Sequence, residues 1–225
     1  MSLGLVLGGG GARGSYQIGA YKAMLEMSKQ PNIICGTSIG AINGAVIAQG
    51  DFESLEHIWE SIEIEDILKI SKSEKKIKNL FAVNSFPRVF KEICEKKGMD
   101  SAPLKKLITK YIDEDKLKQS PVDFALVTYS LTDKKPVIKH KHQIPNGELV
   151  DYLMASSAFP GFSTVTIGKK KFADGGFADN IPLSVITKHD VEDIFVIDVG
   201  GVGIVKDADT SGKNIITIRS QKPAV

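Results

Sequence analysis

Residues 32–48 of the chain, NIICGTSIGAINGAVIA, decide the fold class. The apolar run at 32–35 is typical of a buried strand, and the small and apolar residues after position 40 are typical of a helix. Between them, residues 36–40 form GxSxG, the pattern of a sharp strand-to-helix turn that presents a serine hydroxyl above the sheet. The stretch predicts a layered α/β fold with Ser38 as candidate nucleophile, and a helix-capping serine is the alternative.

The rest of the chain continues the alternation of strands and helices. LGLVL at 3–7 predicts a buried strand, and the run after the glycines predicts a helix over 14–28. Residues 51–118 are mainly helical in pattern. We expect further strands at 122–131, 135–141, 169–177, 193–201 and 214–220, the first two joined as a hairpin, with a helix at 148–159 and another from Pro182. Together these elements predict three α/β/α layers around a mostly parallel central sheet.

The bulk composition is that of one globular domain. The chain has 225 residues, 42% of them hydrophobic and 25% charged. No apolar run is long enough to cross a bilayer, and the first apolar run lacks the basic flank of a secretory signal, so a cytoplasmic location is expected. The two cysteines form no disulfide framework. No HExxH or CxxC pattern is present, so no metal site and no cofactor are expected.

A basic segment interrupts the chain. Residues 69–118 hold 14 Lys and Arg against 7 Asp and Glu, a net +7, whereas the remainder is −5. We expect a cap-like helical insertion at about 65–120 within a single domain of residues 1–225. Its basic residues and Phe81, Phe86 and Phe90 suit peripheral contact with an anionic membrane, and a solvated helical face is the equal alternative.

The glycine-rich stretch at 8–14, GGGGARG, follows the first strand. Gly9, Gly11 and Gly14 match GxGxxG, but the second strand ends without the acidic residue of a dinucleotide site, and Ser15 stands where a P-loop has lysine. The other interpretation is an oxyanion hole, in which bare backbone N–H groups face the developing charge of an acyl-transfer reaction. The third interpretation is a tight turn with a purely structural role.

The base that Ser38 would need is not settled by pattern. His57, His140, His142 and His189 have no persuasive setting, because they are placed on a helix, on a strand facing outward or at a helix end. Asp174 follows a strand and precedes Gly175 and Gly176, which suits a side chain that reaches across the catalytic face. Asp179 and Asp198 compete with it.

Four stretches in this order resemble a patatin-like phospholipase of the bacterial kind: GGGARG at 9–14, GTSIG at 36–40, ASSAFPGF at 155–162 and DGGFADNIP at 174–182. The resemblance implies the patatin-like variant of the α/β-hydrolase type. It implies a Ser–Asp dyad without histidine, acting on acyl esters of phospholipids, with neither metal nor nucleic acid. A carboxylesterase or thioesterase for soluble esters and a nucleotide-binding module are the alternatives.

The resemblance also assigns roles to particular residues. Ser38 resembles the nucleophile and Asp174 its base, with Gly175 and Gly176 completing the base motif. Gly10 and Gly11 are the expected N–H donors to the oxyanion, and Ile39 N–H points to the same place. The oxyanion loop comprises Gly9, Gly10, Gly11, Ala12, Arg13 and Gly14, and the nucleophile turn comprises Gly36, Ile39 and Gly40.

Overall fold

The computed structural model describes residues 2–69, 100–159 and 161–220. Its centre is an eight-stranded sheet in the order β5-β6-β3-β2-β1-β7-β8, with β4 paired to β3. The strands are β1 (Leu3–Leu7), β2 (Ile33–Thr37), β3 (Asp123–Ser130), β4 (Lys135–His140), β5 (Val165–Ile167), β6 (Lys170–Ala173), β7 (Asp193–Asp198) and β8 (Asn214–Arg219).

Helices connect the strands and cover the sheet. Along the described residues they are α1 (Ser15–Glu26), α2 (Ile39–Ala48), α3 (Phe52–Ser61), α4 (Ala102–Tyr111), α5 (Glu114–Gln119), α6 (Leu149–Ser156) and α7 (Leu183–Ile186). No helix within this part of the chain combines the length and hydropathy needed to cross a membrane.

The sheet is parallel in its centre and antiparallel on one side. β1, β2, β3, β7 and β8 run parallel, whereas β4 and β6 are antiparallel to β3, and β5 is antiparallel to β6. Two apolar cores form because neighbouring residues of a strand face opposite sides. Leu5 and Leu7 pack in the larger core with α1, α2 and α6, and Val6 packs in the smaller core with α7. The expected layers around a central sheet are therefore present, in a mixed sheet.

Strand β3 has two successive neighbours on one side. β2 pairs with its first half as far as Thr37 beside Val127, and β6 pairs with its end, where Ala173 lies beside Tyr129. Both lie on the side away from β4, because β4 pairs with β3 throughout Ala125–Ser130. β6 therefore continues along the same side of β3 beyond the end of β2, and the two strands run toward each other.

Differences from the expected elements have local causes. The short strand β5 was not predicted, since three residues at an edge carry too little pattern. α7 is a single turn after Pro182. His142 lies in a 3-10 turn, Lys141–Gln143, rather than on the expected strand.

The predicted cap lies partly outside the described residues. Its centre, including Phe81, Phe86 and Phe90, falls in 70–99 and is not described. Its final part forms α4 and α5, whose Leu104, Ile108 and Leu117 are buried in the larger core. This part of the basic segment therefore packs against the body of the domain.

Candidate active site

Ser38 stands at the turn between β2 and α2 with a strained backbone. Its φ of 56° is in the left-handed region, which a residue with a side chain adopts only at a cost of about 1–3 kcal/mol. The turn needs two glycines around it. A Cβ on Gly36 would collide with the Gly40 carbonyl, and a Cβ on Gly40 would collide with the Leu7 carbonyl. The crowded backbone thus holds Ser38 in the conformation of a nucleophile elbow.

The register of β3 brings Asp174 to Ser38. Ser38 is the residue after β2, and Asp174 is the residue after β6. Because β2 and β6 approach each other along the same side of β3, both residues arrive at the level of Thr128. The Thr128 hydroxyl donates to the Ala173 carbonyl at 2.8 Å and fixes the end of β6 there. Two residues 136 positions apart are therefore neighbours.

The Asp174 carboxyl is buried and carries no ion pair among the described residues. It is 4% exposed, and Oδ1 accepts the Gly176 N–H at 2.7 Å. Burial raises the pKa of Asp174 to about 6, against the opposing effects of that N–H and of the Ser38 hydroxyl. Oδ2 is buried and forms no hydrogen bond within the described part of the chain. The Ser38 hydroxyl is thus close enough to the carboxyl to affect its pKa.

The competing bases are engaged elsewhere. Asp198 accepts the Gly200 N–H and pairs with Arg219. Asp179 accepts from the Ser184 hydroxyl at 3.3 Å and from the backbone N–H groups of Ile181 and Lys206. Against the effect of burial, the Ser38 hydroxyl lowers the pKa of Asp174, whereas Lys206, Ile181 and Ser184 lower the pKa of Asp179.

The histidines also lie away from Ser38. His57 is exposed on α3, and His142 is exposed in its turn. His140 and His189 have rings 5.2 Å apart beside Asp123, at the opposite edge of the parallel strands.

The glycine loop passes beside Ser38 at Gly9. The N–H groups of Gly8 and Gly9 are used, by the carbonyls of Ile197 and Asn180, both at 3.1 Å. Those of Gly10 and Gly11 have no backbone or side-chain acceptor among the described residues, and Gly11 has a φ of +59°. Gly9 therefore contributes close approach rather than a donor, because a Cβ there would meet Asn180 and the Ser38 side chain.

Other residues of the predicted site have supporting positions. The Ile39 N–H begins α2 and has no acceptor within the described ranges, which leaves it available beside Ser38. Gly14 lets the loop pack tightly, because a Cβ there would collide with the Ile39 side chain. Gly175 lies against the Val127 carbonyl with no room for a Cβ, and Ala12 is exposed in the turn.

Arg13 and Asn180 fix the glycine loop to the loop after β7. The Arg13 guanidinium donates to the Gly200 carbonyl, and the Asn180 amide donates to the Gly9 carbonyl at 3.3 Å and the Gly201 carbonyl at 3.2 Å. Asn180 was part of a recognised stretch but was assigned no role. Its partners Gly9 and Gly201 are distant in sequence, so no local pattern indicated this role.

A buried polar chain beneath the loop was missed by the sequence analysis. The Gln17 amide donates to the Gly8 carbonyl at 2.7 Å, and Asn43 donates to Gln17 at 2.8 Å. Trp59 donates to Asn43 at 3.0 Å, which completes the chain from α3 to the loop. An asparagine and a glutamine inside apolar helical patterns were the only signal, since their partners are distant in sequence.

Ser156 supports the elbow from α6. Its hydroxyl accepts the Ser38 N–H at 2.9 Å and donates to the Val127 carbonyl at 2.7 Å. The ASSAFPGF stretch at 155–162, one of the four that carry the family resemblance, therefore contributes a bridge between the nucleophile turn and β3.

Comparisons with known proteins show the family of the chain. Residues 5–186 match the family model described as Patatin-like phospholipase. The chain is 23% identical over 205 residues to Lysophospholipase NTE1 of Mycosarcoma maydis, covering 90% of this chain and 10% of that protein. It is 27% identical over 202 residues to Patatin-like phospholipase domain-containing protein 7 of Rattus norvegicus, covering 88% and 14%. The chain thus spans less than a sixth of these relatives.

A solved structure shares the fold. VipD from Legionella pneumophila superposes with a TM-score of 0.57 at 16% identity, over 97% of this chain and 49% of that one. At this identity the likeness concerns the fold alone, and it confirms the predicted class.

The strain at Ser38 predicts an unusual order of stabilities. Ser38→Gly should be more stable than Ser38→Ala by about 1 kcal/mol, because glycine adopts a positive φ without a Cβ penalty. Urea unfolding of both variants measures the difference. Ser54, on helix α3, is the matched control, where the alanine variant should be the more stable one. If the Ser38→Ala variant is as stable as Ser38→Gly or more stable, the turn is not strained at this position.

The raised pKa of Asp174 predicts that its charge destabilises the fold. Between 3.8 and about 6 the folded protein holds a proton that the unfolded chain releases, so stability falls as pH rises through this window. Two pKa units correspond to about 3 kcal/mol. Asp174→Asn should therefore raise the free energy of unfolding at pH 8 by up to this amount, and by little near pH 3.5. Exposed Asp133, whose pKa is lowered chiefly by Lys170, should show no such gain on change to Asn.

Proposed function

The chain belongs to the patatin-like phospholipase family, and we propose that it is a serine lipid acyl hydrolase of the phospholipase A type. The observation that carries the proposal is the buried Asp174 carboxyl beside the strained Ser38, next to a glycine loop in which the Gly10 and Gly11 N–H groups have no acceptor among the described residues. This arrangement supplies a nucleophile, a base and an oxyanion site within one cleft.

In the acylation half of the proposed reaction, Asp174 takes the proton of the Ser38 hydroxyl. Ser38 Oγ then forms a bond to the ester carbonyl carbon of the lipid. The carbonyl oxygen becomes an oxyanion that accepts from the N–H groups of Gly10 and Gly11, each such bond worth on the order of 3 kcal/mol in the transition state. The bond to the alcohol oxygen breaks, and the proton on Asp174 passes to that oxygen, which leaves as the lyso-lipid.

The deacylation half repeats these roles with water. Asp174 takes a proton from a water molecule, whose oxygen attacks the acyl carbon on Ser38. The acyl–Ser38 bond breaks, the fatty acid leaves, and the proton returns from Asp174 to Ser38 Oγ. Every proton transfer uses these side chains and water, so the scheme calls on no cofactor.

The pKa of Asp174 suits this role. A carboxyl with a pKa near 4 is a weak base for an alcohol, and burial brings the pKa of this group to about 6, closer to the pH at which it would act. Among the described residues no lysine or arginine pairs with this carboxyl, and Arg13 of the glycine loop donates to the Gly200 carbonyl instead.

An exposed apolar surface beside the base favours a lipid over a soluble ester. We call Phe177, Val202, Ile204 and Val205 the apolar rim. All four are exposed, from 46% for Phe177 to 73% for Val202. Exposed apolar side chains in a group mark an interaction surface, whereas scattered ones do not.

The apolar rim is attached directly to the base motif. The Ile204 N–H donates to the Gly176 carbonyl at 2.9 Å, and the Ile204 carbonyl accepts the Asn180 N–H at 2.5 Å. Side chains inserted into the acyl boundary of a bilayer at this place would bring the cleft to the ester bonds of the lipid. The proposed membrane contact therefore rests on the apolar rim, and the basic residues 70–99 lie outside the described part.

The dyad predicts a pH-dependent reaction with a fluorophosphonate probe. Ser38 should be labelled, and the rate should rise with pH through about 6, because Asp174 must be ionised to accept the proton. At pH 5 the rate should be about a tenth of its value at pH 8. Mass spectrometry locates the label and in-gel fluorescence measures the rate.

Variants assign the base in the same assay. Ser38→Ala should abolish labelling, and Asp174→Asn should slow it by about 10²–10⁴-fold. Asp179→Asn and Asp198→Asn are the matched controls and should retain the pH profile. Labelling that keeps its rate in Asp174→Asn would overturn the dyad.

The apolar rim predicts a selective loss of activity on membranes. Changing Val202, Ile204 and Val205 together to Ser should lower hydrolysis of phosphatidylcholine vesicles at least about tenfold more than hydrolysis of a short-chain soluble ester. Fatty acid release from vesicles and chromogenic ester cleavage provide the two rates.

Three exposed apolar residues away from the cleft provide the control. Met27, Ile138 and Ile216 follow α1 or lie on the outer strands, and their joint change to Ser should leave the ratio of the two rates unaltered. A wild-type protein that cleaves only the soluble ester would identify a carboxylesterase and reject the phospholipid substrate.

A further inference from the structure

Three potential metal-ligating side chains meet at the amino ends of the parallel strands, whereas Ser38 lies at their carboxyl ends. Asp123 is the first residue of β3, His140 is the last residue of β4, and His189 follows α7. One nitrogen of each imidazole and one carboxylate oxygen lie within 4.8 Å of one another. The sequence analysis expected no metal site, because positions 123, 140 and 189 have none of the short spacings that mark one in sequence.

The cluster is separate from the proposed catalytic cleft. Asp123 pairs with Ile33 at the beginning of β2, whereas Ser38 follows the end of that strand. Five residues of extended chain at ~3.3 Å each put the two sites roughly 16 Å apart. An ion at the amino ends of the strands would therefore not touch the nucleophile or its base.

The spacing of the ligand atoms suits one small cation. His140 Nδ1 and Asp123 Oδ2 are 3.4 Å apart, which is longer than the 2.7–2.9 Å typical of a charge-assisted hydrogen bond. Two ligands on a tetrahedral ion with bonds of about 2.0–2.1 Å are separated by about 3.4 Å. The rings of His140 and His189 are tilted by 46° rather than stacked. The spacing between His140 and Asp123 therefore matches that of two ligands on one ion, with the His189 ring beside them.

The neighbouring cations do not fill the space. Lys141 directs its ammonium to the carbonyls of Ser120 and Val122, at 2.6 and 2.8 Å. Lys213 directs its ammonium to the carbonyls of His189 and Val191. Within the described residues, neither lysine forms an ion pair with Asp123.

The cluster is also partly open to solvent, and a backbone hydrogen bond holds its carboxylate in place. The side chains of His140 and Asp123 are 26% and 35% exposed, so an ion can enter from water and keep a water ligand. Asp123 Oδ1 accepts the Phe124 N–H at 2.8 Å, which orients the carboxylate and leaves Oδ2 toward His140. Hydrogen bonds of this kind orient the side chains that bind the ion directly at metal sites.

We propose that Asp123, His140 and His189 bind one divalent transition-metal ion, of which Zn²⁺ is the best match, with water in the remaining position. Two imidazoles and one carboxylate suit zinc and its neighbours in the first transition row, and do not suit Mg²⁺ or Ca²⁺, which prefer oxygen ligands. The ion would join the β3–β4 hairpin to the segment after α7.

Isothermal titration of the metal-free full chain with ZnCl₂ tests the proposal. One equivalent should bind to wild type and equally to Ser38→Ala, so the result does not depend on the proposed function. His140→Gln and His189→Gln should each weaken binding at least ~10-fold. Co²⁺ in place of zinc should give visible absorption bands that both variants lose.

Two other histidines give matched controls. His57→Gln and His142→Gln remove exposed imidazoles outside the cluster and should bind zinc as wild type does. Circular dichroism of each metal-free variant shows whether it is folded. If a histidine variant is not folded, Asp123→Asn takes its place in the test, because asparagine keeps the shape of the third ligand. Absence of zinc binding by wild type, or equal binding by the cluster variants and the controls, would overturn the proposal, as would equal affinity for Mg²⁺.

Discussion

The strained backbone of Ser38 is the constraint on which the rest of the site depends. A residue with a side chain keeps a φ of 56° only when its surroundings leave no alternative. Three contacts exclude other conformations here. Gly36 packs against the Gly40 carbonyl, Gly40 packs against the Leu7 carbonyl, and the Ser38 N–H donates to the Ser156 hydroxyl. The first, second and third strands and helix α6 therefore all contribute to the position of one hydroxyl.

The site combines this strain with a buried carboxyl, and both act against stability. Burial of Asp174 opposes its charged form, yet the proposed reaction needs that form. The surrounding polar network offsets these costs. Asn180, Gln17 and Asn43 donate to carbonyls of the glycine loop, and Arg13 ties the loop to the Gly200 carbonyl. The loop is thus held in place while the N–H groups of Gly10 and Gly11 have no acceptor among the described residues. A site of this kind is preorganised at the expense of local stability.

The two ends of the parallel strands have different chemistry. At the carboxyl ends lie Ser38, Asp174 and the glycine loop, bordered by the apolar rim. At the amino ends of these strands lie Asp123 and, beside it, His140 and His189, which are half-exposed and polar. Ligand sites in open α/β sheets form outside the carboxyl ends of the strands, because the connections there diverge. The histidine cluster depends instead on the β3–β4 hairpin, which returns the chain to the amino end of β3.

The sequence by itself determined the strands of the parallel centre, the nucleophile turn and the glycine loop, because each is written in consecutive residues such as GTSIG at 36–40. It left Asp174, Asp179 and Asp198 as competing bases. Only the tertiary structure brings one of them, Asp174, beside Ser38, since β6 follows β2 along the same side of β3 and ends at the level of Ser38. The same holds for Asn180, Gln17 and the Asp123 cluster. Their partners are far away in sequence, and only the strand register brings them together.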